Sequence, residues 1–150
     1  MKILLVAINA KYIHSNLAVY CLKSYAAKRG IEVELTEYTI NHRRDDILMN
    51  IYQRKPDVVA FSCYIWNIAY VLDLVRDIHK VLPETDIWLG GPEVSYEAEK
   101  IKELYGRANA ETGNGPVIRG IILGEGEKTF CELAEYYAEE GCLPGRRCPK

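Results

Sequence analysis

An open α/β fold, a doubly wound five-stranded parallel sheet with helices on both faces, is what this sequence predicts. Three observations carry it. Short apolar or alternating runs recur along the 150 residues and are bounded by turn residues. Between successive runs lie segments whose apolar residues repeat at helical spacing. Strands that alternate with helices close a sheet only through right-handed crossovers, which makes the strands parallel and buries both faces.

The first run, 2–8 (KILLVAI), is continuously apolar, as a strand covered on both faces should be, and it belongs in the sheet interior. A helix follows over 16–28, with Leu17, Cys21, Leu22 and Tyr25 on one face and a cap expected at Gly30. Residues 31–38 (IEVELTEY) form the second strand, and 46–54 a helix with Ile47, Leu48, Ile51 and Tyr52 aligned. The third strand is 57–63 (DVVAFSC), and the helix over 66–82 aligns Ile68, Val71, Leu72, Val75, Ile78 and Leu82. The fourth strand, 86–89 (DIWL), leads to a helix over 95–105 and then to a loop over 106–116 (GRANAETGNGP). The fifth strand, 117–123 (VIRGIIL), is interrupted by Gly120. The last helix, 126–140, carries Phe130, Leu133, Ala134 and Tyr137 on one side and should stop at Gly141. The segment 141–150 (GCLPGRRCPK) loses periodicity and reads as a linker start or a cut end after a domain over 1–140. The strand order 2-1-3-4-5 of Rossmann-like, flavodoxin-like sheets fits this series.

Composition removes several classes of function. The net charge of −2 is spread without a basic stripe, so nothing points to nucleic acid or to an anionic membrane surface. The start, MKILLVAIN, is too short to span a membrane and lacks a small-residue cleavage site. Cys21, Cys63, Cys131, Cys142 and Cys148 are odd in number, with no CxxC pair and no zinc spacing. Reduced thiols and a cytoplasmic location are therefore expected.

Open parallel sheets bind ligands beyond the C-terminal ends of their strands. Four segments fall there: NAKYIHSN, SCYIWN, GGPEVS and GEGEKT. The first has no glycine and one serine, too few backbone donors to cradle a flavin phosphate. Asn9 and Ser62 stand where a phosphoacceptor receiver needs acidic residues for Mg²⁺. In GEGEKT, Glu127 separates Gly126 from Lys128, which breaks P-loop spacing, and two carboxylates would repel a phosphate. Glu125 and Glu127 suit a helix N-terminus instead. No triad spacing or nucleophile elbow occurs, so no catalytic residue is assigned.

What remains is a strand-end surface of little charge: Ser62, Cys63, Tyr64, Ile65 and Trp66, then Gly90, Gly91 and Pro92. It suits a large, flat, mostly uncharged ligand held by backbone approach, a hydroxyl and aromatic walls. Each residue also has a bland reading: Ser62 as a local hydrogen-bonding group, Trp66 as core, Gly90 and Gly91 as a turn. Convergence on one edge favours the ligand.

Four stretches, NAKYIHSNLAVYCLKSYA, KPDVVAFSCYIWN, LPETDIWLGGPEVS and RGIILGEGEKTF, together resemble the N-terminal cobalamin-binding domain of B12-dependent radical SAM proteins. The resemblance spans residues 1–140, and LGGPEVS and GEGEKTF in this order are its most specific parts. It implies that cobalamin sits at the C-terminal sheet edge, with Ser62, Gly90 and Gly91 lining the channel for the nucleotide tail. Gly124, Glu125 and Gly126 would form a turn near the corrin. Tyr12, His14, Ser15 and Asn16 after the first strand, with Cys63, Tyr64, Trp66, Pro92 and Glu93, complete the implied contacts.

Two departures stand against the family pattern. The DxHxxG signature, whose histidine replaces the lower cobalt ligand, is absent after the first strand. His14 lies in that loop and imidazole is a good cobalt ligand, while a loop histidine near a helix start is also a common cap or solvent contact. His42 and His79 stand in polar or helix-surface contexts. No CxxxCxxC motif is present, so S-adenosylmethionine and the [4Fe-4S] cluster belong to a radical SAM domain expected on a longer chain. The function the resemblance implies is a cobalamin-binding module that positions the corrin for such an enzyme, with a methyltransferase the expected type. The alternative is a small binding or regulatory module of the same fold for another ligand, such as a nucleotide.

Overall fold

The computed structural model describes residues 1–11, 15–107 and 115–140. The expectations for Tyr12, His14, the loop around 108–114 and the segment 141–150 lie outside those residues. Five strands, β1 (Ile3–Asn9), β2 (Glu34–Thr39), β3 (Val58–Ser62), β4 (Asp86–Gly90) and β5 (Gly120–Ile122), form one sheet in the order β2-β1-β3-β4-β5. All four strand pairs are parallel. The helices are α1 (Leu17–Lys28), α2 (Arg44–Arg54), α3 (Ile68–Val81), α4 (Pro92–Tyr96), α5 (Ala98–Tyr105) and α6 (Glu127–Glu140).

Because successive strand residues point to opposite faces, β1 feeds two cores. Leu4, Val6 and Ile8 join Ile47, Ile51, Leu74 and Ile78 under α2 and α3. Ile3, Leu5 and Ala7 join Val19, Ala26, Phe130 and Ala134 under α1 and α6. Burial on both sides is what a continuous apolar run requires.

Four local readings change. The helix expected over 95–105 is two helices: Pro92, with φ already suited to a first helical turn, starts α4 directly after the glycines, and Glu97 (φ −111°, ψ 21°) breaks the run before α5. The buried stripe of α1 is Val19 and Ala26 with Leu22 and Tyr25 packed beside them, while Leu17 and Cys21 are exposed. β5 is shorter than expected, Gly120–Ile122, and Gly120 opens it rather than interrupting it; the Trp88 ring of β4 occupies the place a Cβ would take there. His79 is buried rather than on the helix surface, since α3 packs most of its circumference. The cap at Gly30 forms, with φ +76° and the Ile31 N–H reaching the Ala26 carbonyl at 3.1 Å.

Candidate functional site

Parallel register lines up residues of equal side-chain parity into rows across the α1/α6 face. Leu5, Ala60, Trp88 and Gly120 form one row; Ala7, Ser62, Gly90 and Ile122 form the next, nearer the strand ends. Both rows are rich in small side chains, so the sheet face is hollowed rather than filled. A cavity of about 450 Å³ lies over it, walled by Ala18, Val19 and Leu22 of α1 and Phe130 of α6. Its mouth, at the C-terminal sheet edge, is lined by Tyr64, Gly91, Pro92, Ser95, Tyr96 and Gly124 to Glu127.

The two glycines of the β4 turn differ in role. Gly91 has φ +108°, and a Cβ there would sit 2.5 Å from the Cys63 carbonyl oxygen, so the turn itself demands glycine. Gly90 has ordinary strand geometry, and a Cβ would meet only Ile122, at 3.8 Å. The fold makes no demand for glycine at 90; the space a larger side chain would take belongs to the cavity. Ser62, beside Gly90 in register, is buried, and its hydroxyl makes no hydrogen bond to another described residue. A concave apolar slot lined by Ser62, with the space beside Gly90 left open, fits a flat, largely apolar group.

The mouth is held by side chains bonded to backbone. Asn67, fully buried, donates through Nδ2 to the carbonyls of Ile8 and Ser62 (3.0 Å each) and accepts the Tyr64 N–H at Oδ1 (2.8 Å), which ties the ends of β1 and β3 to the start of α3. Ser95 donates to the Gly91 carbonyl (2.9 Å) and accepts the Gly124 N–H (3.4 Å), linking the loops after β4 and β5. Asn16 caps α1 by accepting the Ala18 N–H (3.1 Å) and accepts the Tyr64 hydroxyl at 3.4 Å. Glu37 of β2 accepts from Tyr20 Oη (2.6 Å), the Asn16 N–H (3.0 Å) and Asn9 Nδ2 (3.1 Å). Burial pushes its carboxyl up, but those hydrogen bonds outweigh burial and leave it below its ordinary range.

Tyr96 (90% exposed) lines the mouth, and further exposed apolar side chains lie next in sequence to lining residues: Leu17 before Ala18, Ile65 (77%) and Trp66 after Tyr64, and Leu123 before Gly124. Trp66 stacks on Tyr64, with centroids 4.5 Å apart and planes 7° from parallel.

Of the residues singled out in the sequence, Ser62, Tyr64, Gly90, Gly91, Pro92, Gly124, Glu125 and Gly126 line the cavity. Trp66 is not core; it is half exposed on the rim. Cys63 turns into the α2/α3 core, where burial pushes its thiol up to about 12, and its backbone packs against Gly91. Ser15 is exposed, Asn16 is a cap, and Glu93 contributes a backbone N–H to the Cys63 carbonyl (3.4 Å). Sequence reading missed the inner walls, Leu5, Val19, Leu22, Ala60, Trp88 and Phe130. Ala60 and Ser62, small residues two apart in an otherwise bulky strand, were the available signal. Among the described residues, no three His, Cys, Asp or Glu side chains gather as a metal site. No helix among them is long and apolar enough to cross a membrane.

An open parallel sheet whose strand ends open into an apolar slot defines a ligand-carrying α/β domain. The chain belongs to the B12 binding domain family, whose model matches residues 3–134. Hopanoid C-3 methylase of Methylococcus capsulatus is 28% identical over 115 residues, which is 76% of this chain and 20% of that protein. The cobalamin-dependent radical SAM methyltransferase TokK of Streptomyces tokunonensis is 29% identical over 79 residues, 53% of this chain and 10% of that one. The cobalamin-dependent S-adenosylmethionine radical enzyme OxsB, solved with aqua-cobalamin and S-adenosylmethionine bound, shares the fold at TM-score 0.75 and 20% identity over 95% of this chain and 19% of its own. The chain thus spans only 10–20% of the length of the curated relatives it matches.

Proposed function

We propose that this domain, residues 1–140, holds cobalamin with the nucleotide tail in the slot under α1 and α6 and the corrin outside, against the loops after β3, β4 and β5. Gly90 leaves room for the tail, Ser62 offers its hydroxyl, and Leu5, Val19, Ala60 and Phe130 exclude water. The slot lies at the strand-end edge where ligands of open parallel sheets bind. The observation that carries the reading is Gly90, a glycine that neither its own φ nor its neighbours require, lining a cavity beside Ser62.

The corrin supplies the cobalt chemistry; these side chains bind and orient it. Tyr64, Trp66 and Tyr96 give the rim large apolar faces. The cobalamin is presented to a radical SAM domain that carries S-adenosylmethionine and the [4Fe-4S] cluster, with residues 141–150 as the start of the linker to it. Methyl transfer is the reaction, supported by the methylase and methyltransferase relatives. A base held in the slot is unavailable to cobalt, so absorbance titration with hydroxocobalamin should show saturable binding with a base-off spectrum. Saturable binding with a base-on spectrum would contradict the placement of the tail, and an unsaturated titration would contradict cobalamin binding.

A further inference from the structure

We infer that the slot discriminates between corrinoids by their lower base, taking an apolar benzimidazole-type base and rejecting a purine. The inference rests on the reading that the nucleotide tail enters here. Dimethylbenzimidazole and adenine are both flat bicycles of similar size, so shape separates them poorly; their edges do not match. Once off cobalt, dimethylbenzimidazole presents one free ring nitrogen and otherwise carbon. Adenine presents an amine and additional ring nitrogens along the edge that would lead into the slot.

The inner walls offer those groups nothing. Leu5, Ala60, Val19, Leu22 and Phe130 are hydrocarbon. The one side-chain donor among the inner residues, the Trp88 indole N–H, is already committed: it donates to Tyr137 Oη at 3.1 Å, and that hydroxyl donates to the buried Asp86 carboxylate at 2.6 Å. Burial and the Asp86 carboxylate hold Tyr137 in its neutral, donating form well above the usual phenol range. The indole is thereby fixed as a flat apolar surface, and the missing Cβ of Gly120 gives its ring a seat on the neighbouring strand. Polar groups are confined to the strand-end row and the mouth. Ser62 supplies a single hydroxyl there, matching the single free nitrogen of a benzimidazole. The Ser95 hydroxyl is engaged between Gly91 and Gly124, and Glu125 and Glu127 belong to the mouth. A purine would therefore leave polar edges buried without partners, which weakens binding by roughly tenfold or more.

The test is equilibrium titration of the chain with three corrinoids: hydroxocobalamin, its analogue with adenine as lower base, and cobinamide, which lacks the nucleotide. The expected order is hydroxocobalamin tightest, with the adenine analogue weaker by at least about tenfold and cobinamide also weaker. Equal affinity for the two complete corrinoids, with cobinamide weaker, would overturn base selection and leave the tail in the slot. Equal affinity for all three would overturn both while leaving cobalamin binding in place, and binding of none would overturn the reading beneath them. Leu22→Gln, at a half-buried helix position, adds a hydrogen-bonding group to the wall and, in a variant whose thermal melt matches the wild type, should narrow the preference severalfold. A preference unchanged in that variant would count against the inference.

Discussion

Gly90 and Gly91 are adjacent and chemically identical, yet the backbone asks different things of them. At Gly91, φ of +108° and a Cβ position 2.5 Å from a carbonyl oxygen combine strain with collision. Gly91→Ala should therefore destabilise the fold by at least about 2 kcal/mol. At Gly90 an added methyl meets only Ile122, at ordinary contact distance. Gly90→Ala should leave stability unchanged or raise it by up to about 1 kcal/mol, because the unfolded chain loses freedom. Urea denaturation of the two variants checks the pair, and equal losses would contradict the assignment of turn to one and space to the other. Cys63 teaches a related lesson: its place in SCYIWN put it at the site, but strand parity turned the thiol into the opposite core.

The start of α1 is fastened to the sheet through β2. Glu37 gathers Tyr20, the Asn16 N–H and Asn9, and Asn16 in turn caps the helix that walls the slot. The carboxyl is lowered in the folded state from its ordinary value of 4.5, so near and below that pH the unfolded chain binds more protons. The associated stability is complete above about pH 4.5 and is lost as pH falls through the folded value. Glu37→Gln should flatten the acid limb of Tm against pH without abolishing it. Glu34, lowered by Arg54 and Lys2 against its own burial, continues to titrate there. An acid limb as steep in the variant as in the wild type would contradict the role given to Glu37.

The order of the sheet was legible because each strand announces itself: KILLVAI and DVVAFSC are apolar on both faces and could only be interior. The mouth was legible for a similar reason, since glycines at strand ends mark themselves, and Ser62, Gly90, Gly91 and Gly124 do line the cavity. The depth of the slot was not. It arises where Ala60 and Ser62 of β3 fall in register with Trp88 and Gly90 of β4, under helix residues far away in sequence. Register across strands is a property of the folded sheet, and no single segment displays it. The early start of α4 escaped because the helix was expected from 95, three residues past Pro92, which is a good first residue of a helix. The assembled domain is then a parallel sheet with a slot behind its strand ends and exposed apolar side chains on the loops that lead to the opening. The direct measurement is calorimetric titration of hydroxocobalamin into the wild-type chain and into Gly90→Leu, with thermal melts of both. Saturable binding by the wild type, weakened at least about tenfold in a variant that melts normally, is the predicted result. A normally folded Gly90→Leu that binds as tightly as the wild type, or a wild type that does not bind, would contradict it.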